Sequence, residues 1–264
     1  MSDPEVRVRG AVAELRGQGW TDEVAVEEPL EIRVDGRALA VTMRTPGHDE
    51  ELALGFLLGE GLIDRAHPAG PARDLAVNTV DVTGPLIGAP AERSFFTTSS
   101  CGVCGKGALE QVAVHSAVLP DGPRFDRATL AALPERLVQP GFERTGGLHA
   151  AGLFDSEGRL RFAREDVGRH NALDKVLGRA LLDGLVPLHG FAVAVSGRLA
   201  FELVQKCAVA GVPVLVGAGA PTSLAVQLAA DRRMTLCGFA RDGRVNVYTA
   251  PERAPIGPST GSSP

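Results

Sequence analysis

At 264 residues, 44% of them hydrophobic, the chain is long enough to bury a large core as one large domain, or as a main domain with an appendage. No apolar run is long enough to span a membrane, and four cysteines in this length do not suggest a disulfide scaffold. The net charge of -5 is unevenly spread: residues 1–100 hold 9 basic and 17 acidic side chains, whereas the remainder is mildly basic and Arg-rich. With 5% aromatics and no basic run, the chain lacks a nucleic-acid footprint. The opening Met1-Ser2-Asp3-Pro4-Glu5 has no basic-then-apolar signal pattern, so a cytoplasmic location is expected.

Residues 1–20 read as a flexible or weakly helical N-terminus. Val24–Val26 and Leu30–Val34 alternate as strands do, Asp35-Gly36 is a tight-turn signal, and Leu39, Val41 and Met43 alternate after it. This predicts a β-hairpin. Thr45-Pro46-Gly47 breaks the chain. His48-Asp49-Glu50-Glu51 then opens a helix to about Gly59, with an acidic first turn and an apolar face of Leu52, Phe56 and Leu57. Asn78–Val82 is a further strand and 84–92 a Gly/Pro loop. Together, 21–92 form an N-terminal hairpin and helix region, 93–250 a main α/β domain, and 251–264 a disordered Pro/Gly/Ser tail.

In the main domain, Arg93–Thr98 reads as a strand and Gly107–Ala117 as a helix. Between them lies Ser99-Ser100-Cys101-Gly102-Val103-Cys104-Gly105-Lys106. Asp126 can cap a short helix to about Leu137, Gly146–Phe154 is a glycine-laced strand, and Leu160–Phe162 returns from a turn. The polar loop 164–171 leads into a helix with Leu173, Val176, Leu177, Ala180 and Leu181 inward. Apolar strands at Phe191–Val195, Val212–Val216 and Met234–Phe239 then alternate with two helices, and Val245–Tyr248 adds a fourth strand. Such alternation argues for parallel sheet, with ligands bound at the carboxyl ends of the strands. Loops 98–106, 196–198 and 217–222 fall at those ends.

Cys101 and Cys104 carry the most specific chemistry. A helix N-terminus near Cys104, together with Lys106, favours a thiolate. A lone C-x-x-C is compatible with half of a zinc site, dithiol redox chemistry or sulfur carriage. With His48 and Glu50 as H-x-E, it also echoes zinc nucleobase deaminases. Against the deaminase reading stand Ser100, where that signature has proline, and the long gap between the two halves. Cys207 and Cys237 read as small core residues.

Several further blocks share one resemblance. Thr45-Pro46-Gly47, Leu52–Leu57 with Glu60-Gly61, Ser99–Lys106, Thr145–Ala151, Arg164–Lys175, Ser196–Arg198 with Phe201–Lys206, Ala220–Ala225 and Gly238–Arg241 resemble, in this order, the FdhD/NarQ family of formate dehydrogenase accessory sulfurtransferases. The resemblance implies a cytidine deaminase-like three-layer α/β/α fold with a mixed sheet, and a homodimer. It implies a carrier that takes persulfide sulfur from a cysteine desulfurase and delivers it to the molybdenum cofactor, Mo-bis(molybdopterin guanine dinucleotide), activating formate dehydrogenase. Cys101 is then the persulfide carrier and Cys104 its assistant, with no resident metal. The family's cofactor-binding segment corresponds to Phe239-Ala240-Arg241-Asp242. Backbone amides around Ala220, Thr222 and Ser223 suit phosphate; Arg169, Arg198 and Arg241 suit its charge; Asp166 or Asp242 suits a guanine edge; His149 and His170 suit the site lining. Two other classes compete: a zinc-dependent nucleobase hydrolase, and a chaperone that binds cofactor or apoenzyme without chemistry.

Overall fold

The computed structural model of the chain describes residues 5–17, 19–87, 95–96 and 116–255. The chain divides into two compact units, each assembled from segments separated in sequence. One comprises Met1–His115, Val138–Ala150 and Arg164–Leu185; the other comprises Ser116–Leu137, Ala151–Ala163 and Val186–Pro264.

The first unit opens with β1 (Glu5–Arg9), β2 (Val12–Gly17) and β3 (Trp20–Ala25), an antiparallel sheet in the order β1-β2-β3. This corrects the expectation of a frayed N-terminus. Val6, Leu15 and Asp22 face one another across the three strands, as do Val8, Ala13 and Val24. Short strands gain from such cross-strand pairs what they lack in local propensity. Gly17 lies beneath the Trp20 ring, where a Cβ would overlap the indole.

The expected hairpin is present as β4 (Glu28–Val34) and β5 (Arg37–Arg44). Asp35 and Gly36 both take positive φ, 48° and 76°, as a two-residue turn matching strand twist requires. With β6 (Ala69–Pro71), β7 (Thr79–Val82) and β8 (Phe95–Phe96) the hairpin forms a mixed sheet in the order β6-β7-β4-β5-β8. β7 runs parallel to β4 and β8 parallel to β5.

Helix α1 (Asp49–Gly59) is buried at every position from Glu51 onward, not along one face. Leu52, Leu54, Leu57 and Leu58 are almost wholly enclosed; burial of each leucine contributes roughly 2 kcal/mol. The partner helix lies in the same unit and, after α2 (Arg127–Ala132) and α3 (Pro140–Thr145), is α4 (Arg169–Leu182). The two helices meet backbone to backbone at Gly55 and Gly178. A Cβ on Gly55 would collide with the Asp174 carbonyl, and one on Gly178 with the Glu51 carbonyl.

The second unit is built on a six-stranded sheet in the order β10-β9-β11-β12-β13-β14, from β9 (His149–Phe154) and β10 (Leu160–Asp166), whose ends at His149–Ala150 and Arg164–Asp166 count with the first unit, and from β11 (Ala192–Val195), β12 (Val214–Gly217), β13 (Thr235–Arg241) and β14 (Arg244–Val247). β11, β12 and β13 are mutually parallel, and the flanking pairs β9/β11 and β13/β14 are antiparallel. The expected mixed α/β sheet is therefore present. α5 (Phe201–Val209) and α6 (Ser223–Asp231) supply the crossovers and pack on each other. Every residue of β11 and β12 is buried, as expected of crossover-connected parallel strands. Asp126 caps α2 as expected, accepting from Thr129 N at 2.6 Å, but that helix stops at Ala132 and a 3-10 turn, Pro134–Arg136, follows.

The Gly55–Gly178 contact leaves no room for side chains. Gly178→Ala is expected to lower stability by about 3 kcal/mol through overpacking. A shifted urea midpoint at constant transition slope would show it, whereas Gly184→Ala, at a surface turn, serves to gauge strain without a clash.

Candidate functional site

Cys101, Cys104 and the helix expected over 107–117 lie outside the described residues, except for the last two positions of that helix, which are irregular. Of the strand expected over 93–98, Phe95 and Phe96 are described and pair with Ala40 and Val41. The other two cysteines are described and fully buried: Cys207 on α5 and Cys237 on β13. Burial pushes the Cys237 thiol up to about 12, against a small opposing pull from Arg127. A neutral, enclosed thiol is a poor nucleophile. The sequence reading of both as core residues therefore holds.

At the carboxyl ends of β11, β12 and β13, three loops are joined through their backbones. Ala218 N donates to Val195 O at 3.1 Å, Gly219 N to Gly197 O at 3.1 Å, Leu199 N to Ala220 O at 3.0 Å and Thr222 N to Leu199 O at 3.0 Å. The ladder between β11 and β12 thus continues past the strands, with Leu199 bridging Pro221 in parallel. Phe239 N donates to Gly219 O at 3.1 Å and joins the end of β13 to the same cluster. Gly219 is held to glycine because a Cβ would stand 2.9 Å from both Arg198 N and Gly197 O.

Arg198, Ala220, Thr222, Ser223, Phe239, Ala240, Arg241 and Asp242 all belong to this unit. Arg198, Thr222, Ser223, Phe239, Arg241 and Asp242 are exposed, whereas Ala240 is buried. α6 begins at Ser223, as its sequence predicts. Thr222 Oγ1 accepts from Ala225 N at 3.3 Å, answering one of the first-turn amides that lack an intrahelical acceptor. α5 begins at Phe201, and its N-cap residue, Ala200, makes no side-chain cap. The cluster therefore presents two helix N-termini and two exposed arginines, a setting favourable to anions.

The end of β13, where its register with β14 shifts, and the turn that follows are held in an unusual conformation. Phe239 and Asp242 take φ of 53° and 51°, disfavoured for residues with a Cβ. Glu135, from the 3-10 turn, accepts from Asp242 N at 2.8 Å. Arg136 beside it donates to Gly158 O at 2.6 Å. Sequence reasoning missed Glu135 because nothing local marks it; its partner is 107 residues away.

The remaining candidates belong to the first unit. Asp166 is fully buried, and both of its oxygens are engaged. Oδ2 meets Lys175 Nζ at 2.7 Å and accepts from Thr45 N at 3.1 Å. Oδ1 accepts from Gly168 N at 2.8 Å and Asn171 Nδ2 at 3.1 Å. Asp166, expected at a guanine edge, is enclosed and fully partnered in the interior, whereas Asp242 is exposed. Lys175 Nζ also donates to Thr45 O at 2.8 Å, and Thr45 Oγ1 accepts from Val167 N at 3.1 Å. This network fixes the turn from which α4 starts. Arg169 and His170, both half-buried, occupy the first two positions of that helix. His149 is the first residue of β9.

His48 caps α1 in a left-handed conformation without a side-chain hydrogen bond to the helix. Its Nδ1 is 3.6 Å from Glu51 Oε2. Burial, then the nearby Arg164, holds the ring below the usual histidine range, against the opposing pull of Glu51. Glu51 itself is gripped by Arg164, Nε to Oε2 at 2.6 Å and Nη2 to Oε1 at 2.8 Å.

A model of the FdhD/NarQ family matches residues 25–255. The sulfur carrier protein FdhD of Streptomyces avermitilis is 47% identical over 266 residues, covering 94% of this chain and 93% of that protein. The sulfur carrier protein FdhD of Mycolicibacterium paratuberculosis is 49% identical over 249 residues, covering 88% and 92%. A crystal structure described as that of a formate dehydrogenase accessory protein from Desulfotalea psychrophila aligns with a TM-score of 0.72 at 30% identity, over 96% of this chain and 98% of that one.

The buried pair yields a stability test. Lys175→Met strands the Asp166 carboxylate and is expected to cost about 3–5 kcal/mol. Adding Asp166→Asn to that variant is expected to restore part of the loss. Equilibrium urea unfolding of both single variants and the double variant measures these effects, and additive losses would show that the pair is uncoupled.

Proposed function

The chain belongs to the FdhD/NarQ family, and on that premise we propose that it is a sulfur carrier serving a formate dehydrogenase. The observation that carries the chemistry is the contrast among its four cysteines. Two are walled into the core of the second unit, and the other two form Cys101-Gly102-Val103-Cys104 in a stretch of small and polar residues. A carrier thiol has to meet two large partners in turn, so a buried thiol cannot serve.

The donor in this reading is the active-site persulfide of a cysteine desulfurase. The thiolate of Cys101 attacks the terminal sulfur, the donor S–S bond breaks, and the desulfurase leaves as a thiolate. Cys101 then holds a persulfide. In the second step the Cys104 thiolate attacks the inner sulfur of that persulfide. A Cys101–Cys104 disulfide forms, and the outer sulfur leaves as sulfide, carrying both bonding electrons to the molybdenum of the cofactor. A cellular dithiol reduces the disulfide and resets the carrier. The cofactor is the substrate here, Mo-bis(molybdopterin guanine dinucleotide).

The loop cluster of the second unit suits the guanine nucleotide end of that substrate. Amides near Ala220, Thr222 and Ser223 and the side chains of Arg198 and Arg241 favour phosphate, and the Asp242 carboxylate is open to the N–H groups of a guanine. Arg169 and His170 are further candidates in the first unit. The same reading takes the protein as a cytoplasmic homodimer. No helix among the described residues is long and apolar enough to cross a membrane.

Incubation with a cysteine desulfurase and cysteine should add the mass of one sulfur atom to the peptide holding Cys101 and Cys104, and a reductant should remove it. Sulfur found on Cys207 or Cys237, or on no peptide, would overturn the assignment. Native protein treated with iodoacetamide at mildly alkaline pH should leave Cys207 and Cys237 unlabelled until it is denatured. In cells, the Cys101→Ser/Cys104→Ser variant should abolish formate dehydrogenase activity while the dehydrogenase polypeptide still accumulates.

A further inference from the structure

Tyr248 is the only tyrosine of the chain and follows directly on β14. Its amide donates to Leu236 O at 2.9 Å, so its backbone is held by pairing with β13. Gly238 shows where the ring goes. A Cβ at that position would stand 3.0 Å from Gly219 O, 3.0 Å from Pro221 Cδ and 3.2 Å from Tyr248 Cε2. The 218–222 loop and the tyrosine ring therefore close on the same point of β13, and the missing side chain is what lets them meet.

The ring is nevertheless not used up by this packing. Tyr248 is 38% exposed and Phe239, one residue past Gly238, is 41% exposed. They are the two exposed aromatic side chains of this unit among the described residues, in a chain with few aromatics. Of the unit's other aromatic rings, Phe125 and Phe154 are enclosed and Phe162, Phe191 and Phe201 are half-buried. A rigid, half-bare ring beside a loop suited to phosphate has the makings of a platform for a planar base: it loses little freedom on binding and hides apolar surface from water.

We propose that Tyr248 stacks on the base of the nucleotide whose phosphates the 218–223 turn receives, which makes it a specificity residue for the nucleoside end of the substrate. This inference rests on the nucleotide reading of the loop cluster given above. A stacking ring acts on the base and leaves the phosphates untouched. Its removal should therefore weaken binding of a purine nucleotide without changing binding of pyrophosphate.

The single tyrosine is its own reporter. With Trp20, the only tryptophan, replaced by phenylalanine, tyrosine emission comes from Tyr248 alone. Titration with GDP should quench it to saturation, and pyrophosphate should leave it unchanged. By calorimetry, Tyr248→Phe should bind GDP within about twofold of the parent, and Tyr248→Leu should bind it about tenfold more weakly or worse. Affinity for pyrophosphate should be the same in all three. If Tyr248→Leu does not fold, the emission titration on the native tyrosine still decides. GDP binding that leaves the emission unmoved, with Tyr248→Leu equal to the parent, would overturn the role of Tyr248 and leave the nucleotide site standing. Failure of the parent protein to bind GDP at all would instead overturn the nucleotide reading, and this inference with it.

Discussion

A lysine and an aspartate shut away from water anchor the first unit. Lys175 and Asp166 meet at 2.7 Å with almost no exposure on either side. Desolvating two charges is expensive, and such a pair is tolerated only when the remaining hydrogen-bonding capacity is also met. Here it is met by the backbone at Thr45, Gly168 and Glu165 and by Asn171. Those partners come from the segment entering α1, from the end of β10 and from α4. An arrangement that slipped α4 by a turn would leave charges without partners in the interior. The pair therefore selects one register for the helix, and the glycine contact at Gly55 and Gly178 then sets how closely α1 and α4 approach.

The second unit achieves its order by other means. Its loop cluster is held by main-chain hydrogen bonds that prolong the sheet, with glycine wherever two backbones or a ring come too near for a Cβ. Gly217 faces the Leu199 side chain, Gly219 the Gly197–Arg198 peptide, and Gly238 the Gly219 carbonyl and the Tyr248 ring. Leaving the side chains of Arg198, Ser223 and Arg241 out of this scaffolding keeps them available to a ligand. The fold is thus rigid where the backbone is shaped and open where charge is displayed, a division that suits recognition of a phosphate-bearing partner.

The cysteines divide along a related line. Burial makes Cys237 inert and encloses Cys207, although both sit in the unit that carries the loop cluster. Sulfur transfer asks for a thiol that ionises readily and reaches different partners in succession, and only the C-x-x-C segment has the composition for it.

Much of this was open to reading before any fold was known. The Asp35-Gly36 hairpin, the acidic start of α1, α4 and the β11–β14 succession follow from hydrophobic period and from turn and cap chemistry, which act over a few residues. The Cys101/Cys104 pair is likewise visible because its chemistry is local. Tertiary structure alone decided the rest. β1, β2 and β3 are strands because they pair with each other, and α3, six residues long, starts where Glu165 accepts from Gly141 and Phe142 amides at 2.8 Å. Asp166 turned from a presumed ligand contact into an interior partner of a lysine nine positions on, and Glu135 and Tyr248 gained roles at loops distant in sequence. Local preference is written in neighbouring residues, whereas the desolvation of a charge or the closeness of two backbones depends on which distant segments the folded chain brings together.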